Sequence, residues 1–532
     1  MDKILILDFG SQYTQLIGRR IRELGVYAEV LPGDAPLGPD RLVGAKGVVL
    51  SGSPRSAYEP GSPRPDPVLY RAGLPVLGLC YGIQLMTLDF GGRVERLPER
   101  EYGRKPVSLA RPAGGAEPAA GTARGGGADP LLAGLPSTFA SWMSHGDSVA
   151  VPAPGFEVLA VSEGGIPAAL RDRARGLWGL QFHPEVSHCE GGMRILENFA
   201  IGICGARREW SMEAYLEEVG ERIRAQVGPG DALLLISGGV DSTVAGALLL
   251  KTLPREKVHL LYIDTGLMRK AESEEVMRNL GALGAKHLHR ADAEAEFLAA
   301  LAGVEDPEEK RKRIGDLFIK VQEREVARLG IPDAFLAQGT LYTDLIESGK
   351  GVGTKAQVIK SHHNVRSPLV EAKRVAGKVI EPLDRLYKDE VRALGRLLGV
   401  SEEVVRRHPF PGPGLGVRIL GEVTKERCDI LREADAIYIA ELKRRGLYDR
   451  IWQAFSILLP LRSVGVAGDE RKYGSVLALR AVVSEDGMTA DVFPFASEDL
   501  LAISSAITNR ASEIGRVVYD ISSKPPATIE WE

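Results

Sequence analysis

Two stretches of the chain alternate short apolar runs with segments in which apolar residues recur at helical spacing. In the first stretch, Ile4 to Leu7, Gly47 to Leu50 and Pro75 to Leu79 are short apolar runs, and Gln15 to Leu24 has helical spacing. A second stretch of the same kind begins at Ala232. Strands that alternate with helices predict a parallel sheet that binds its ligands at the carboxyl ends of the strands.

Breaks in composition divide the chain into three predicted domains. A basic pair, Arg207-Arg208, follows Cys204 and precedes a helical segment, after which Gly228-Pro229-Gly230 breaks the chain. Residues 407–416 are too rich in Pro and Gly for regular structure. We therefore predict the α/β class, with two doubly wound parallel-sheet domains at residues 1–203 and 204–407 and an α+β domain at residues 408–532. Residues 111–128 are almost wholly Ala, Gly, Pro and Arg and are predicted to form a surface loop.

Charge and cysteine content narrow the class of protein. The 532 residues carry a net charge of −4, which excludes a globally basic nucleic-acid binder. No apolar run approaches the roughly 18 residues that span a membrane, and the N-terminus lacks the pattern of a signal peptide. The four cysteines form no Cys-x-x-Cys pair, so a disulfide scaffold is not expected. These features predict a cytoplasmic enzyme of several domains.

Cys80 stands between an apolar run and a helical pattern, in the string Gly-Leu-Cys-Tyr-Gly at residues 78–82. Small residues two positions before and after a nucleophile suit a sharp strand-to-helix turn, where a side chain would meet neighbouring backbone. The turn exposes the thiol, and the helix N-terminus favours its thiolate form. Taken alone, such a cysteine is more often a buried core residue.

A candidate partner for the thiol follows the apolar run from Leu177 to Phe182, in the string His183-Pro184-Glu185. Pro184 biases His183 toward an extended conformation, in which residues i and i+2 point to the same side. We predict that His183 takes the thiol proton and that Glu185 holds its other ring nitrogen. The alternative is a histidine that only ends a strand.

Two backbone N–H groups are predicted to complete this site. Gly52 follows the run that ends at Leu50, and Tyr81 follows the cysteine, so that together they form an oxyanion hole. Residues 144–147 (Ser-His-Gly-Asp) are predicted to be a polar loop that shapes the substrate pocket.

These two strings together resemble the class I glutamine amidotransferases. The resemblance rests on Gly-Leu-Cys-Tyr-Gly at residues 78–82 and Gln-Phe-His-Pro-Glu at residues 181–185, and it covers residues 1 to about 203. It implies that Cys80 attacks the side-chain amide of glutamine, forms a thioester and releases ammonia.

A second site follows the apolar run from Leu233 to Ile236, at the start of a helical segment. Glycines at this turn expose backbone N–H groups, and the helix dipole favours a bound anion. No Walker lysine follows, and the string instead resembles the PP-loop of ATP pyrophosphatases. The resemblance implies that ATP binds here, with Asp241 as a ligand of Mg²⁺, because hard carboxylate oxygens suit that ion. The ATP-binding residues are predicted to be Ser237, Gly238, Gly239, Val240, Asp241, Ser242 and Thr243.

The two sites together predict a synthetase that forms an amide or an amine. ATP cleaved between its α and β phosphates adenylates an oxygen atom of the acceptor, and ammonia from the first domain then displaces AMP. The pair of sites does not define the acceptor. NAD synthetases and asparagine synthetases combine the same two activities, and a degenerate binding or regulatory protein is the alternative without catalysis.

The carboxyl end of the chain extends the resemblance to the GMP synthetase family. It rests on residues 523–532 (Ser-Lys-Pro-Pro-Ala-Thr-Ile-Glu-Trp-Glu), 408–415 (His-Pro-Phe-Pro-Gly-Pro-Gly-Leu) and 338–342 (Gln-Gly-Thr-Leu-Tyr). The resemblance implies that xanthosine monophosphate (XMP) is the acceptor and GMP the product, with a homodimer formed through the C-terminal domain. The residues it assigns to XMP are Arg311, Lys524, Ile529 and Glu530. The residues it assigns to a mobile lid are Lys360, His362 and His363.

Overall fold

The computed structural model describes residues 1–110, 129–347, 368–467, 470–484 and 489–532. They form two compact units. One contains residues 1–215 and 343–347, and the other contains residues 216–342 and the described residues from 368 onward. The lid residues Lys360, His362 and His363, and the predicted loop at residues 111–128, lie outside the described residues.

The first unit is built on a nine-stranded sheet in the order β2-β1-β3-β4-β9-β8-β7-β5-β6. Its strands are β1 (Lys3–Asp8), β2 (Tyr27–Pro32), β3 (Ala45–Leu50), β4 (Val76–Leu79), β5 (Arg93–Leu109), β6 (Thr138–Val151), β7 (Glu157–Ser162), β8 (Pro167–Asp172) and β9 (Leu177–Leu180). Its helices are α1 (Thr14–Glu23), α2 (Pro39–Leu42), α3 (Tyr81–Asp89) and α4 (Gly192–Glu197).

Only one half of this sheet is parallel. Strands β2, β1, β3, β4 and β9 run parallel, whereas β8, β7, β5 and β6 continue the sheet in antiparallel pairs. The four residues Ile4 to Leu7 of β1 are fully buried, as expected for a central parallel strand covered on both faces. The prediction of a polar loop at residues 144–147 is wrong, because this segment lies inside β6 and pairs with β5. Its polar residues do not alternate with apolar ones clearly enough to indicate a strand.

The second unit contains a five-stranded, wholly parallel sheet in the order β12-β11-β10-β13-β14. Its strands are β10 (Ala232–Ile236), β11 (Val258–Asp264), β12 (His287–Asp292), β13 (Phe335–Ala337) and β14 (Val379–Ile380). The helices of this part of the chain are α5 (Met212–Val227), α6 (Val240–Thr252), α7 (Glu272–Ala282), α8 (Glu294–Leu301), α9 (Pro307–Leu329), α10 (Tyr342–Glu347), α11 (Pro368–Val375), α12 (Lys388–Leu397) and α13 (Glu402–Val405).

Helix α9 illustrates how local sequence sets the bounds of an element. The Asp306 carboxylate accepts a hydrogen bond of 2.8 Å from the Glu309 amide, and Pro307 occupies the first helical position. Gly330 ends the helix with a φ of 68°, a conformation that glycine adopts without steric cost. Between these signals the helix runs for 23 residues.

The C-terminal part of the second unit is an α+β arrangement, as predicted. Its elements are α14 (Lys425–Arg444), β15 (Gln453–Ala467), β16 (Glu470–Val483), β17 (Asp491–Val492), α15 (Ser497–Arg510) and β18 (Ile514–Tyr519). Strand β16 pairs with β15 and β17 in antiparallel fashion and with β18 in parallel.

One hydrophobic core extends through this unit. Leu261 of the parallel sheet, Leu431 of α14 and Leu477 of β16 belong to the same cluster of buried side chains. The predicted borders after residues 203 and 407 stay predictions, since the core is continuous across the second border. Among the described residues, no helix combines the length and the hydropathy that a membrane-crossing segment needs.

Candidate active sites

Cys80 occupies a strained turn between β4 and α3. Its φ is 52° and its ψ is −98°, a combination that costs a residue with a side chain about 1–3 kcal/mol. The flanking glycines permit the turn, because a Cβ on Gly78 would lie 2.5 Å from the carbonyl carbon of Gly82. A Cβ on Gly82 would lie 2.7 Å from the carbonyl oxygen of Leu50. The spacing of the small residues therefore reflects close backbone packing around the cysteine.

His183 and Glu185 meet beside this turn. The ring Nδ1 of His183 lies 2.7 Å from Oε1 of Glu185, and both side chains are buried. Strand β9 brings the pair to Cys80, because the Cys80 amide donates a 2.7 Å hydrogen bond to the carbonyl of Leu180. Burial alone would lower the pKa of His183, but the charge of Glu185 and the hydrogen bond with Cys80 raise it well above its usual value. The site therefore favours a charged imidazolium next to the thiol.

The predicted oxyanion groups border the same space. Tyr81 is the first residue of α3, so its N–H has no acceptor within the helix. A Cβ built on Gly52 would lie 3.5 Å from Cε1 of His183. The Ser51 hydroxyl accepts a 3.0 Å hydrogen bond from the Phe9 amide and holds the turn that carries Gly52. Gly52 thus lies next to His183, and Tyr81 follows Cys80, while their role as an oxyanion hole stays a prediction.

The strand that replaces the predicted loop also contributes to the surroundings of the thiol. The carbonyl oxygen of Ser144 lies 3.9 Å from the Cys80 Sγ. His145 is buried and lies 3.3 Å from Glu101, whose pKa it lowers through a hydrogen bond. The Gln84 amide donates a 2.8 Å hydrogen bond to the carbonyl of Asp147 and ties α3 to β6. The string Ser-His-Gly-Asp contained the residue types but did not indicate that a strand carries them.

The glycine turn at residues 237–243 joins β10 to the N-terminus of α6. Gly238 has a φ of 82°, and Gly239 is the residue before the first helical position. The hydroxyls of Ser237 and Ser242 lie 3.1 Å apart, and the Thr243 hydroxyl donates a 2.9 Å hydrogen bond to the carbonyl of Gly239. The N-terminus of a 13-residue helix and three hydroxyl groups therefore lie at one turn, an arrangement that suits a phosphate.

A cation that the sequence reasoning missed lies at this turn. Nζ of Lys388, the first residue of α12, lies 2.6 Å from Oδ1 of Asp241. The two residues are 147 positions apart, so no local pattern connects them. On the neighbouring strand, Asp264 accepts a 2.7 Å hydrogen bond from Arg290. The carboxylates at the carboxyl ends of β10 and β11 thus each have a basic partner.

Glu530, near the carboxyl end of the chain, is held in place by side-chain hydrogen bonds. Arg418 donates to Glu530 through two nitrogens, at 2.8 and 3.1 Å, and Gln453 donates at 2.7 Å. Arg418 is fully buried, and its guanidinium lies 4.1 Å from the ring centre of Phe455. Neither partner was predicted, although a lone arginine within the apolar run of residues 415–420 is a usable signal for a buried ion pair.

The rest of the tail is held by backbone contacts. The amide of Lys524 donates to Ala490 at 2.8 Å, and a cavity of about 630 Å³ is lined in part by Lys524 and Asp491. Arg480 is fully buried and donates to the carbonyl of Ser522 at 2.6 Å. Ile529 is buried in a small apolar cluster. Lys524 is therefore the predicted residue that lines a cavity, whereas Ile529 packs into the core.

Arg311 lies on α9 and contacts the chain terminus. Its guanidinium donates to the backbone carbonyl of Glu532, and its neighbour Lys310 is fully buried with Nζ 2.6 Å from the Glu532 carboxylate. Lys310 also donates to the carbonyl of Ile419 at 2.7 Å. The structure therefore brings Arg311 and the tail together within the second unit.

Comparison with known families matches three parts of the chain. Residues 5–203 match the glutamine amidotransferase class-I family, residues 228–299 match the thiamine biosynthesis protein (ThiI) family, and residues 440–531 match the GMP synthase C-terminal domain. The α/β class and the two resemblances to an amidotransferase and a PP-loop protein are confirmed.

Three relatives match this chain over almost its full length. The GMP synthase (glutamine-hydrolyzing) of Symbiobacterium thermophilum is 50% identical to this chain, over 100% of this chain and 99% of its own. The protein of the same name from Aquifex aeolicus is 49% identical, over 99% of each chain. A relative from Thermus thermophilus with the same name is 50% identical over 99% of this chain and 100% of its own. Identity at this level from end to end means that the chain belongs to the glutamine-hydrolysing GMP synthase family.

Proposed function

We propose that the protein makes GMP from XMP, ATP and glutamine. The observation that carries the proposal is the buried contact between Cys80, His183 and Glu185 on a chain that also holds a phosphate-binding turn. Ammonia released at the first site replaces the activated oxygen of XMP at the second. We propose that residues 1–203 act as the amidotransferase, 204–407 as the ATP pyrophosphatase, and 408–532 as the domain that completes the XMP site.

Glutamine hydrolysis follows from the charges around the thiol. The Cys80 thiolate attacks the side-chain amide carbon, and the N–H groups of Gly52 and Tyr81 stabilise the oxyanion that forms. His183 then delivers a proton to the leaving nitrogen, so that ammonia departs and a thioester remains. Glu185 keeps the imidazole oriented and stabilises its charged form. Water, activated by His183, hydrolyses the thioester to glutamate.

ATP is used at the glycine turn. A PP-loop domain uses ATP, and the N–H groups at the N-terminus of α6 and the Ser237 hydroxyl provide donors for its pyrophosphate. The hydroxyls of Ser242 and Thr243 donate to the Gly239 carbonyl in this structure and would turn to the pyrophosphate when it binds. One carboxylate is sufficient for Mg²⁺, because this ion takes most of its ligands from phosphates and water. Asp241 is the carboxylate that fits, and Mg²⁺ would neutralise charge on the departing pyrophosphate. We propose that Lys388 holds Asp241 in place and turns to a phosphate when nucleotide binds.

XMP binding is proposed for the C-terminal tail. Lys524 lines a cavity of about 630 Å³, and Arg311 offers a bidentate donor for a phosphate. Glu530 is oriented by Arg418, so its carboxylate is pre-positioned to accept hydrogen bonds from a purine base. Ile529 supports this segment through its packing rather than through a polar contact. The lid residues Lys360, His362 and His363 are proposed to close over the nucleotides.

A homodimer is proposed on the basis of exposed apolar side chains in the β15–β16 hairpin. Leu461, Val464, Val466 and Tyr473 are all about half exposed or more. Apolar groups grouped in this way are typical of surfaces that associate. A second copy of the chain would cover them, and we expect the enzyme to act in the cytoplasm, where its nucleotide substrates are made.

The test is an assay with ATP, Mg²⁺ and XMP in which GMP and AMP are followed with either glutamine or ammonium as nitrogen source. Cys80→Ala should abolish the glutamine-driven reaction and leave the ammonium-driven one intact. Cys189→Ala is the matched control, because burial raises the pKa of that thiol to about 12 and makes it a poor nucleophile. Asp241→Asn should impair both reactions.

Two results would overturn the proposal. Folded protein that makes no GMP from either nitrogen source, but uses deamido-NAD or aspartate, would identify a different synthetase. Equal loss of both reactions in Cys80→Ala would show that the two sites do not divide the chemistry in this way.

A further inference from the structure

Three histidines form a cluster at one edge of the parallel sheet in the second unit. His259 is on β11 and lies directly beside His287 on the edge strand β12. His289 is two residues further along β12 and therefore points to the same face as His287. Since each residue of a strand advances the chain by about 3.3 Å, His259 is roughly 16 Å from Asp264 at the carboxyl end of β11. The cluster is thus remote from the glycine turn that receives ATP.

The ring nitrogens of the three side chains converge. One ligand nitrogen from each histidine lies within 4.8 Å of the other two, and all three residues are only partly buried. The ring centres of His259 and His287 are 4.6 Å apart, and those of His259 and His289 are 5.8 Å apart. Nitrogens that share a tetrahedral ion at about 2.0–2.1 Å lie about 3.3 Å from one another. The three rings are stacked with interplanar angles of 8–19°, so binding requires the imidazoles to turn about their side-chain torsions until their in-plane lone pairs meet at one ion.

Two ring nitrogens of this cluster are buried and have no hydrogen-bond partner. Nδ1 of His259 and Nε2 of His289 are inaccessible to solvent and make no hydrogen bond. A buried polar atom without a partner is unusual in a folded protein and often indicates an ion or water that satisfies it. Two residues on adjacent strands therefore each carry a ring nitrogen whose capacity to bind a proton donor, an acceptor or an ion is unused.

Burial, with nearby positive groups, lowers the pKa of two of the three imidazoles, His259 and His289, and so favours the neutral form that binds metals. Burial lowers the pKa of His259, and the neighbouring His287 and Lys257 lower it further, whereas Asp231 opposes them. Burial likewise lowers the pKa of His289, with contributions from the other two histidines and from Arg328 of α9, against Glu325 of the same helix. Glu325 is ion-paired with Arg328, so its charge is largely neutralised.

We propose that His259, His287 and His289 bind one divalent transition metal ion, with Zn²⁺ as the preferred occupant. Three imidazole nitrogens suit Zn²⁺ and ions of similar softness, whereas Mg²⁺ and Ca²⁺ prefer oxygen ligands. Water completes the coordination, which the partial exposure of the three residues permits. The ion joins the edge strand β12 to β11, so its role is to hold the rim of the nucleotide-binding sheet together. This site is independent of the Mg²⁺ proposed at Asp241.

The experiment uses the full chain with the substitution Cys80→Ala, because the thiol beside His183 is a competing ligand for soft metals. Co²⁺ is added in a buffer without phosphate or nucleotide, and the visible absorption of tetrahedral Co²⁺ is followed, then displaced with Zn²⁺. Hydrogen exchange of β12 is measured with and without Zn²⁺. We expect one Co²⁺ per chain, bleaching by Zn²⁺, and slower exchange of β12 when Zn²⁺ is bound.

Added in that background, His287→Asn and His289→Gln should each lose both the absorption band and the effect on exchange. His188→Asn, which changes an exposed histidine in the first unit, should keep both. Ammonium-driven GMP synthesis by the cluster variants establishes that they are folded. The proposal is overturned if the Cys80→Ala chain binds no stoichiometric Co²⁺, if the band survives without His287, or if it disappears in His188→Asn.

Discussion

Gly82→Ala tests whether close packing at the elbow positions the nucleophile. Helix propensity alone favours the substitution, because alanine in place of glycine within a helix is worth up to about 1 kcal/mol. Packing against Leu50 disfavours the substitution. The new Cβ of residue 82 would lie 2.7 Å from both Cβ and the carbonyl oxygen of Leu50, where ordinary contact begins at 3.4 Å.

The gain in helix propensity and the steric cost of the new Cβ differ enough in size to predict the effect of Gly82→Ala. Leu50 is in the central strand β3, and neither of its contacting atoms is the end of a flexible side chain, so α3 must move by about 0.7 Å. Overpacking of this kind costs about 1–3 kcal/mol, which exceeds the gain in helix propensity. Cys80 moves with the helix, and misplacement of a reacting group by about 1 Å costs up to roughly 100-fold in rate.

The assay compares local stability with both activities. Hydrogen exchange of α3 and β3 should be faster in Gly82→Ala, and glutaminase kcat/KM should fall by about 10- to 100-fold, whereas ammonium-driven synthesis should be unchanged. Gly202→Ala is the control, because a Cβ there has no atom within 4 Å. Wild-type exchange and glutaminase rates in Gly82→Ala would refute the reasoning.

Three further predictions concern single charged groups. In Glu185→Gln, the charge that raises the pKa of His183 is lost. The rate at which Cys80 is alkylated falls when the imidazolium of His183 loses its proton, and this fall should move to lower pH. An unchanged pH profile would contradict the pairing of His183 with Glu185. In Arg418→Lys, the two-nitrogen contact with Glu530 is lost at a cost of about 1.5–3 kcal/mol, so KM for XMP should rise by about 10-fold or more while glutaminase activity is retained. Burial lowers the pKa of His408 to about 4. Because His408 is protonated more easily in the unfolded chain, the stability that it contributes is present above about pH 6.5 and is lost as the pH falls toward 4. Hydrogen-exchange protection factors of β15 should decrease over this pH range. In His408→Gln, this pH-dependent decrease should be absent.

The local features of both sites were predictable from sequence. The glycines around Cys80 and the glycine turn before α6 are each encoded within a few residues, and so is the nearness of His183 to Glu185, although these two residues lie in a turn after β9 and not in an extended segment. Their conformations depend on steric restrictions of the backbone, which do not require knowledge of distant contacts. The apolar runs likewise indicated four strands of the first sheet (β1, β3, β4 and β9) and strand β10 of the second.

The antiparallel half of the first sheet was not predictable in this way. Residues 144–147 have the polar character of a loop and carry no alternating pattern. Their pairing with β5 depends on hydrogen bonds between distant backbone segments. The same pairing places Ser144 beside the thiol and His145 beside Glu101, so it also decides which side chains surround the substrate.

The chemistry available at each site, and the turns that present it, are therefore local properties of the sequence. The partners that control that chemistry, such as Lys388 for Asp241 and Arg418 for Glu530, come from the tertiary fold alone. These pairs are separated by 147 and 112 residues. A turn is determined by short-range sterics, whereas a buried ion pair exists only because folding removes both groups from water at the same point, and no local pattern specifies where that point lies.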